Sequence, residues 1–562
     1  MKRCPECRRD YYDNTLLYCL DDGAALLDGP SSLSDPDEPK TAILHETDAP
    51  NEPATKPLLH TTAVPAVANH SSWIGTLLAI AAVAIVLVAA FFVYRYSKAS
   101  TRQINSIAVI PFVNESGNAD VEYLSDGMTD TLIASLSQIP NLSVKAHSSV
   151  FRYKGKELDA KKVAADLGVQ AIVTGRLNQR GDQLVLNLEL IDPSTESDLW
   201  ANRYERKTSD LVPLQSEVAR DVSSKLKARL SGADEAKITK HYTANPEAYQ
   251  LYLKGRFYAE KRREDDLKKA LEYFQQAVEL DPNYALAYTG VAGAWGSLSA
   301  YNYGHLTAKE ANEKSEAAVQ KALQLDDSLS EPHATLANIK AFYNWDWNGA
   351  EAEYKRAIEL NPNDAAAHRL YGRFLCAFGR IDEAKAEIEL AYKVDPLSLG
   401  TLSIMGDPYY YSREYDKLIE ANLKALELDP SFSRAHYWLQ SGYEEKGMYQ
   451  EVIADLRKTA SPDDLKAANA LEAGYSAAGA RGYWQKNVEL KLEEAKQHYL
   501  EPYPLAVYYA KLGEKDKAFE WLQKAYEERD AALVYLKVDP QIDNLRPDPR
   551  SQEIVKKVGL PN

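Results

Sequence analysis

Between residues 244 and 530 apolar positions recur at the spacing of a helical face, and the chain keeps returning to one word. It reads "AVELDP" at 277, "ALQLDD" at 322, "AIELNP" at 357, "AYKVDP" at 391 and "ALELDP" at 425. Alignment of these words gives a 34-residue period. Ala350, Ala384 and Leu418 are equivalent, then Tyr354, Ile388 and Asn422, then Ala357, Ala391 and Ala425, then Pro362, Pro396 and Pro430. A first unit carries the same tail as Ala270, Phe274, Ala277 and Pro282, with Gly255 in its first helix; looser units fall at 283–328, 431–462 and 503–530. Small residues let two helices approach, and proline cannot continue the second. One helix pair cannot bury its apolar face alone, so the pattern predicts an all-α solenoid of stacked pairs over 244–530, closed by a capping segment at 531–562.

The pattern over 104–230 differs. "INSIAVIPF" is a compact apolar run that reads as a buried strand, and "DGMTDTLIASLSQI" places Met128, Leu132, Ile133 and Leu136 on one helical face behind Ser125 as a cap. Further strands are expected at 141–146, 169–176, 183–191 and 198–205, with helices at 159–167 and 209–230. A Gly-Asp turn should join the middle two strands as a hairpin. This is a modest α/β domain with a mixed sheet.

Upstream, "WIGTLLAIAAVAIVLVAAFFVY" at 73–94 carries no charge, and its 22 residues reach about 33 Å as a helix, enough to span a bilayer core. Residues 73–95 therefore read as a single transmembrane helix. The preceding stretch, 28–72, is broken by seven prolines among polar residues and reads as a disordered linker. Arg95, Lys98 and Arg102 after the span favour a cytoplasmic body. Thiols in the amino-terminal segment favour a cytoplasmic amino end. The second orientation, with the body outside a bacterial inner membrane, is the reading adopted.

Those thiols are Cys4, Cys7 and Cys19, three of the four cysteines in the chain. Cys4-Pro-Glu-Cys7 is a turn suited to aiming two thiolates at one tetrahedral zinc, and Cys19 and Asp22 can complete the set. A segment as short as 1–27 cannot fold on its own core, so bound metal would have to supply folding energy. A degenerate turn without metal fits the same spacing. The net charge of −16 opposes a nucleic-acid-binding body. No phosphate-cradling loop, nucleophile elbow or zinc-protease helix is present, and "GVAGAWG" at 290–296 lies where close helix packing accounts for its glycines. The expectation is a protein that is not an enzyme.

Three resemblances follow from these residues. The 34-residue units resemble the tetratricopeptide repeat. Residues 1–27 resemble a bacterial zinc ribbon, departing at Asp22, where that family has cysteine. "SIAVIPFVNESGNADVEYLSDGMTDTLIASLSQIPNLSV", "LGVQAIVTGRL" and "LWANRYER" together look like the TolB amino-terminal-like domain, which implies a domain set between a membrane span and helical repeats in envelope or signalling proteins.

A repeat solenoid presents an inner wall made by the first helix of each pair. The phase places Tyr249, Tyr252, Arg256, Phe342, Tyr343, Arg369, Arg373, Tyr410, Tyr411, Arg434 and Tyr437 on that wall. Tyrosine and arginine suit recognition of an extended peptide or protein segment. The expected function is a membrane-anchored interaction scaffold, the alternative a transmembrane transcriptional or signalling regulator with a cytoplasmic zinc-ribbon output.

Overall fold

The computed structural model describes residues 2–3, 10–11, 27–28, 104–139, 141–226, 231–261, 263–300, 308–459, 462–496 and 500–560. The chain divides into two units, Met1–Phe91 and Phe92–Asn562. In the first, β1 (Lys2–Arg3) pairs antiparallel with both β2 (Asp10–Tyr11) and β3 (Leu27–Asp28). The expected zinc ligands Cys4, Cys7, Cys19 and Asp22, the linker after Asp28 and the apolar run 73–95 lie outside the described residues. Among the described residues no helix is long and apolar enough to cross a membrane, and no group of His, Cys, Asp and Glu is placed to hold a metal.

The second unit begins with a mixed sheet. Its strands are β4 (Ser106–Val109), β5 (Val113–Asn114), β6 (Ser143–Val144), β7 (Ala171–Arg180), β8 (Gln183–Asp192) and β9 (Ser197–Lys207), in the order β6-β4-β7-β8-β9 with β5 also on β7. Strand β4 runs parallel to β6 and β7, so it is covered on both faces; Ile107, Ala108 and Val109 are wholly buried. The β7–β8 hairpin turns through Gly181 at φ +61°, a backbone conformation that glycine adopts without strain.

Helix α1 (Glu122–Ser137) begins a turn earlier than its sequence suggests, because Asn118 caps a short 3-10 turn that feeds into it. Ser125 is consequently not a cap; it is buried inside the helix, with its hydroxyl on the Glu122 carbonyl. Thirteen of the sixteen residues of α1 are buried, so it is a central helix covered by protein on more than one side. The sheet lies on one side and, on another, α6 (Pro246–Ala259), the first repeat helix. The contact is close: a Cβ at Gly127 would meet Leu253 Cδ2 at 2.8 Å. The α/β domain and the first repeats thus share one core. Around the sheet stand α2 (His147–Val150), α3 (Ala160–Leu167), α4 (Leu211–Lys225) and α5 (Gly232–Ile238).

The repeat region continues as α7 (Glu264–Leu280), α8 (Ala285–Ala300), α9 (Ala308–Leu325), α10 (Ser330–Ile339), α11 (Trp347–Leu360), α12 (Ala365–Ala377), α13 (Ile381–Val394), α14 (Leu399–Ile404), α15 (Asp407–Tyr411), α16 (Tyr415–Leu428), α17 (Ser433–Glu445), α18 (Tyr449–Thr459), α19 (Pro462–Glu494), α20 (Tyr503–Leu512) and α21 (Lys515–Glu527). Helix α19 is two helices broken at Ala478–Gly479. The small-large-small positions carry the packing: Ala350, Tyr354, Ala357, Ala384, Ala391 and Ala425 are fully buried. Glycine at 255 is a close-approach residue, since a Cβ there would meet Phe274 at 2.5 Å. The recurring Asp or Asn before proline also has a task. Its carboxylate or amide oxygen accepts the N–H two residues on, as in Asp281 with Asn283, Asn361 with Asn363 and Asp429 with Ser431, which closes the turn into the next repeat.

A second recurring device ties the two helices of a pair together. His333, His368 and His436 set Nδ1 against Glu353, Glu387 and Asp455, and Nε2 against the carbonyls of Asp327, Pro362 and Pro430. Each ring thus bridges a side-chain carboxylate on the second helix and a backbone carbonyl of the preceding turn.

After α21 the chain forms 3-10 turns at Ala531–Tyr535 and Pro540–Leu545 and a last helix, α22 (Pro549–Val558). This end returns to the middle of the repeats, where Trp347 Nε1 donates to the Gly559 carbonyl at 2.8 Å.

Candidate functional site on the inner wall of the repeats

The eleven residues expected on the inner wall fall into three groups. Tyr249, Tyr252 and Arg256, all on α6, face the α/β domain and the next repeat. Tyr249 is 3% exposed, with its hydroxyl 3.4 Å from Thr131 on α1, and Tyr252 packs against Phe274 and Tyr284. Arg256 lies 3.9 Å from Asp130 and 3.8 Å from Glu331. Tyr249 and Tyr252 are interface between domains and offer no open face to a partner, while Arg256, 28% exposed, lies at the margin of that interface.

Asp126 and Asp130, whose positions on α1 suggest simple solvation, are instead buried in this region. Asp126 is held by Lys154 at 2.6 Å, yet burial outweighs that cation and pushes its carboxyl up to about 6. Asp130 meets His147 Nδ1, and Glu260 lies 3.7 Å from the other ring nitrogen. Burial opposes a charge on His147, but the Asp130 carboxylate prevails and raises its pKa. More contacts clamp the domain to the repeat turns. Asn363 donates to the carbonyls of Ser137 and Leu142 at 3.0 Å, buried Lys145 donates to the Lys393 carbonyl at 2.7 Å, and Ser148 and Ser149 donate to Asp395.

The second group is Phe342, Arg373, Tyr410 and Tyr411. They come from three different repeats, as the period requires, and the fold brings them together. Phe342 and Tyr343 sit in a π-helical turn, Lys340–Asn344, which ends α10 with Trp345 at φ +60°. The four are already occupied by residues of the same chain. Tyr535 stacks on Tyr411 with ring centroids 4.9 Å apart and planes 1° apart, lies 6.1 Å from Phe342, and accepts a 2.9 Å hydrogen bond from Arg373 Nε. Asp539 accepts from Tyr410 and from Tyr503. The segment expected only to cap the solenoid therefore packs on side chains drawn from three repeats. Nothing in the local sequence signals this; the partners are 162 residues apart.

The third group is Tyr343, Arg369, Arg434 and Tyr437. Tyr343, Arg369 and Arg434 are half-buried, while Tyr437 is 59% exposed, the highest value among the exposed large apolar and aromatic side chains described. Tyr437 stands edge-on to Trp438 at 5.2 Å, and the Arg434 guanidinium is 5.9 Å from the Trp438 ring. A wall residue missing from the sequence-based set is Asp407, the first residue of α15. It is 1% exposed, its Oδ1 has no hydrogen-bond partner, and burial raises its carboxyl to about 6 against the opposing charges of Arg434, Arg373 and Arg369. Its place nine residues into a repeat, equivalent to Arg373 one period earlier, was the available signal.

Comparison with known proteins agrees with this architecture in part. Residues 251–284 and 342–397 match family models described as tetratricopeptide repeat. Residues 102–220 match a model described as HilA/YgeH-like transcriptional regulator, second domain, a different description from the TolB amino-terminal-like resemblance. Putative adenylate cyclase 3 of Rhizobium meliloti is 31% identical over 240 residues, covering 41% of this chain and 39% of that protein. Superkiller protein 3 of Schizosaccharomyces pombe is 25% identical over 217 residues, 37% of this chain and 15% of its own length. The chain thus spans well under half of either relative. Among solved structures, YrrB, a TPR protein with an unusual peptide-binding site, is 22% identical with a TM-score of 0.24 and covers 37% of this chain and 97% of its own. Residues 251–284 and 342–397 are thus tetratricopeptide-repeat units, a kind of unit that serves in protein-interaction scaffolds.

Proposed function

We propose that this protein is a membrane-anchored, non-catalytic scaffold that holds a peptide or protein partner on the inner wall of its repeats, in envelope signalling or assembly. The observation that carries the reading is Tyr437, a large aromatic side chain left 59% exposed on α17 beside Arg434 and Trp438. Exposed aromatics flanked by arginine are the usual anchors of a protein interface. The docked α/β domain and the carboxyl-terminal segment take the rest of the wall, so the partner engages the stretch around Arg434, Tyr437, Arg369 and Tyr343. Anchoring rests on the apolar run 73–94, and the amino-terminal cysteines would hold a structural zinc on the cytoplasmic side. The test is capture of the native partner by the full-length protein. Tyr437→Ala with Arg434→Glu should reduce capture at least about tenfold, since hot-spot residues each contribute about 2 kcal/mol or more, with an unchanged circular dichroism spectrum. Undiminished capture would refute the surface.

The match of residues 102–220 to a transcriptional regulator's second domain favours one further reading, a transmembrane regulator whose zinc-ribbon end contacts nucleic acid. Full-length protein loaded with zinc that shows no DNA or RNA affinity at low salt would eliminate it.

A further inference from the structure

The two edges of the sheet are treated unequally. Strand β6 is two residues long, and the chain around it is covered by repeat loops: Asn363 reaches the Leu142 carbonyl and Lys145 reaches Lys393. Strand β9 at the other edge is eleven residues long, contains no proline, and pairs only with β8. Most of its side chains are exposed, and among the described residues no other strand or loop bonds to its backbone. Two backbone groups in its middle find stand-ins: the Arg203 N–H donates to the Asn202 side chain, and the Glu205 carbonyl accepts from the Arg206 guanidinium.

A long open edge is a template for another strand unless it is blunted. Blunting here is partial. A bulge at Leu199, where Leu190 pairs with Trp200 but Ile191 with Asp198, disrupts the first residues only. Beyond it the charges alternate in sign. Arg203 and Glu205 are 62% and 63% exposed and are paired only with each other, along the strand.

We propose that β9 is a self-association edge, on which a second copy of this chain adds its own β9 antiparallel and continues the sheet across a two-fold axis. Charge complementarity selects the copy and the register. Pairing centred on Tyr204 sets Arg203 opposite Glu205 of the second copy and Glu205 opposite its Arg203, with Ala201 opposite Lys207. Pairing centred on Arg203 would instead oppose two arginines. Opposite charges directly across a ladder stabilise and like charges destabilise, so the two-fold arrangement is favoured at Tyr204 and disfavoured one residue away.

The test uses the full chain in detergent micelles, followed by sedimentation and disulfide cross-linking. Arg203→Glu should weaken dimerisation about tenfold, and Arg203→Glu with Glu205→Arg should restore it. Both positions are exposed, and an unchanged thermal transition shows that the variants fold. Mixed Arg203→Cys and Glu205→Cys chains should cross-link to each other far more than either does to itself. A monomer at every concentration, a dimer indifferent to Arg203→Glu, or equal cross-linking in all three mixtures would each overturn the proposal.

Discussion

Replacement of Tyr535 by alanine tests whether the carboxyl-terminal segment is held on the inner wall or merely lies near it. The side chain is 6% exposed. Its ring stacks on Tyr411 and touches the Phe342 cluster, and its oxygen accepts from Arg373. Truncating a buried aromatic costs about 3–5 kcal/mol, of which the ring pair accounts for about 0.5–1.5. Tyr535→Phe keeps the ring and loses the hydrogen bond alone, about 1 kcal/mol. A large helical chain does not unfold as one unit, so a global melting temperature would average the effect away. Native-state hydrogen exchange resolves it. Amides of 503–512 and 531–545 should lose about a hundredfold or more in protection in the alanine variant and about fivefold in the phenylalanine variant, while β7 and β8 stay unchanged. Equal and small losses in the two variants would show that the stack contributes no holding energy, and the stretch around Phe342, Arg373 and Tyr411 would then be open to a partner as well.

Two other expectations concern the repeats themselves. His368 is buried between Glu387 and the Pro362 carbonyl, and these acceptors raise its pKa even though burial opposes the charge. A group whose pKa is higher folded than unfolded stabilises fully below its unfolded value, near 6.5, and loses that contribution as pH rises through the folded value. His368→Gln should therefore cost about 1–2 kcal/mol at pH 5.5 and progressively less above neutrality; a denaturation cost independent of pH would contradict the charged bridge. Gly255→Ala forces a methyl to within 2.5 Å of the Phe274 ring and should destabilise by about 1–3 kcal/mol, read as faster native-state hydrogen exchange of the amides in Pro246–Ala259 and Glu264–Leu280. No loss would mean that the first pair is packed loosely.

The repeats were legible because their packing rule is periodic: Ala357, Ala391 and Ala425 hold the same place in the same contact, and a sequence can show a period. The sheet was legible for a similar reason, with β7 and β8 differing from their expected ranges by a few residues at the ends. Helix α1 was misjudged because Asp126, Thr129, Asp130 and Thr131 are polar residues on buried faces. Polarity is read as exposure unless the partners are known, and Lys154, His147 and Tyr249 lie 17 to 118 residues away. The period brought Phe342, Arg373, Tyr410 and Tyr411 into phase, but it did not show what covers them. Tyr535 falls outside the repeat period, so nothing in the spacing ties it to Arg373.

That occupancy also orders events during synthesis. Arg373 leaves the ribosome 162 residues before Tyr535, an interval of about 8–30 s at ordinary bacterial elongation rates. From the moment Tyr411 follows, the shelf of Phe342, Arg373 and Tyr411 stands bare on a nascent chain whose cover has not yet been translated. A chain terminated before Tyr535 would leave the shelf bare permanently, turning a packed interior into a sticky aromatic surface.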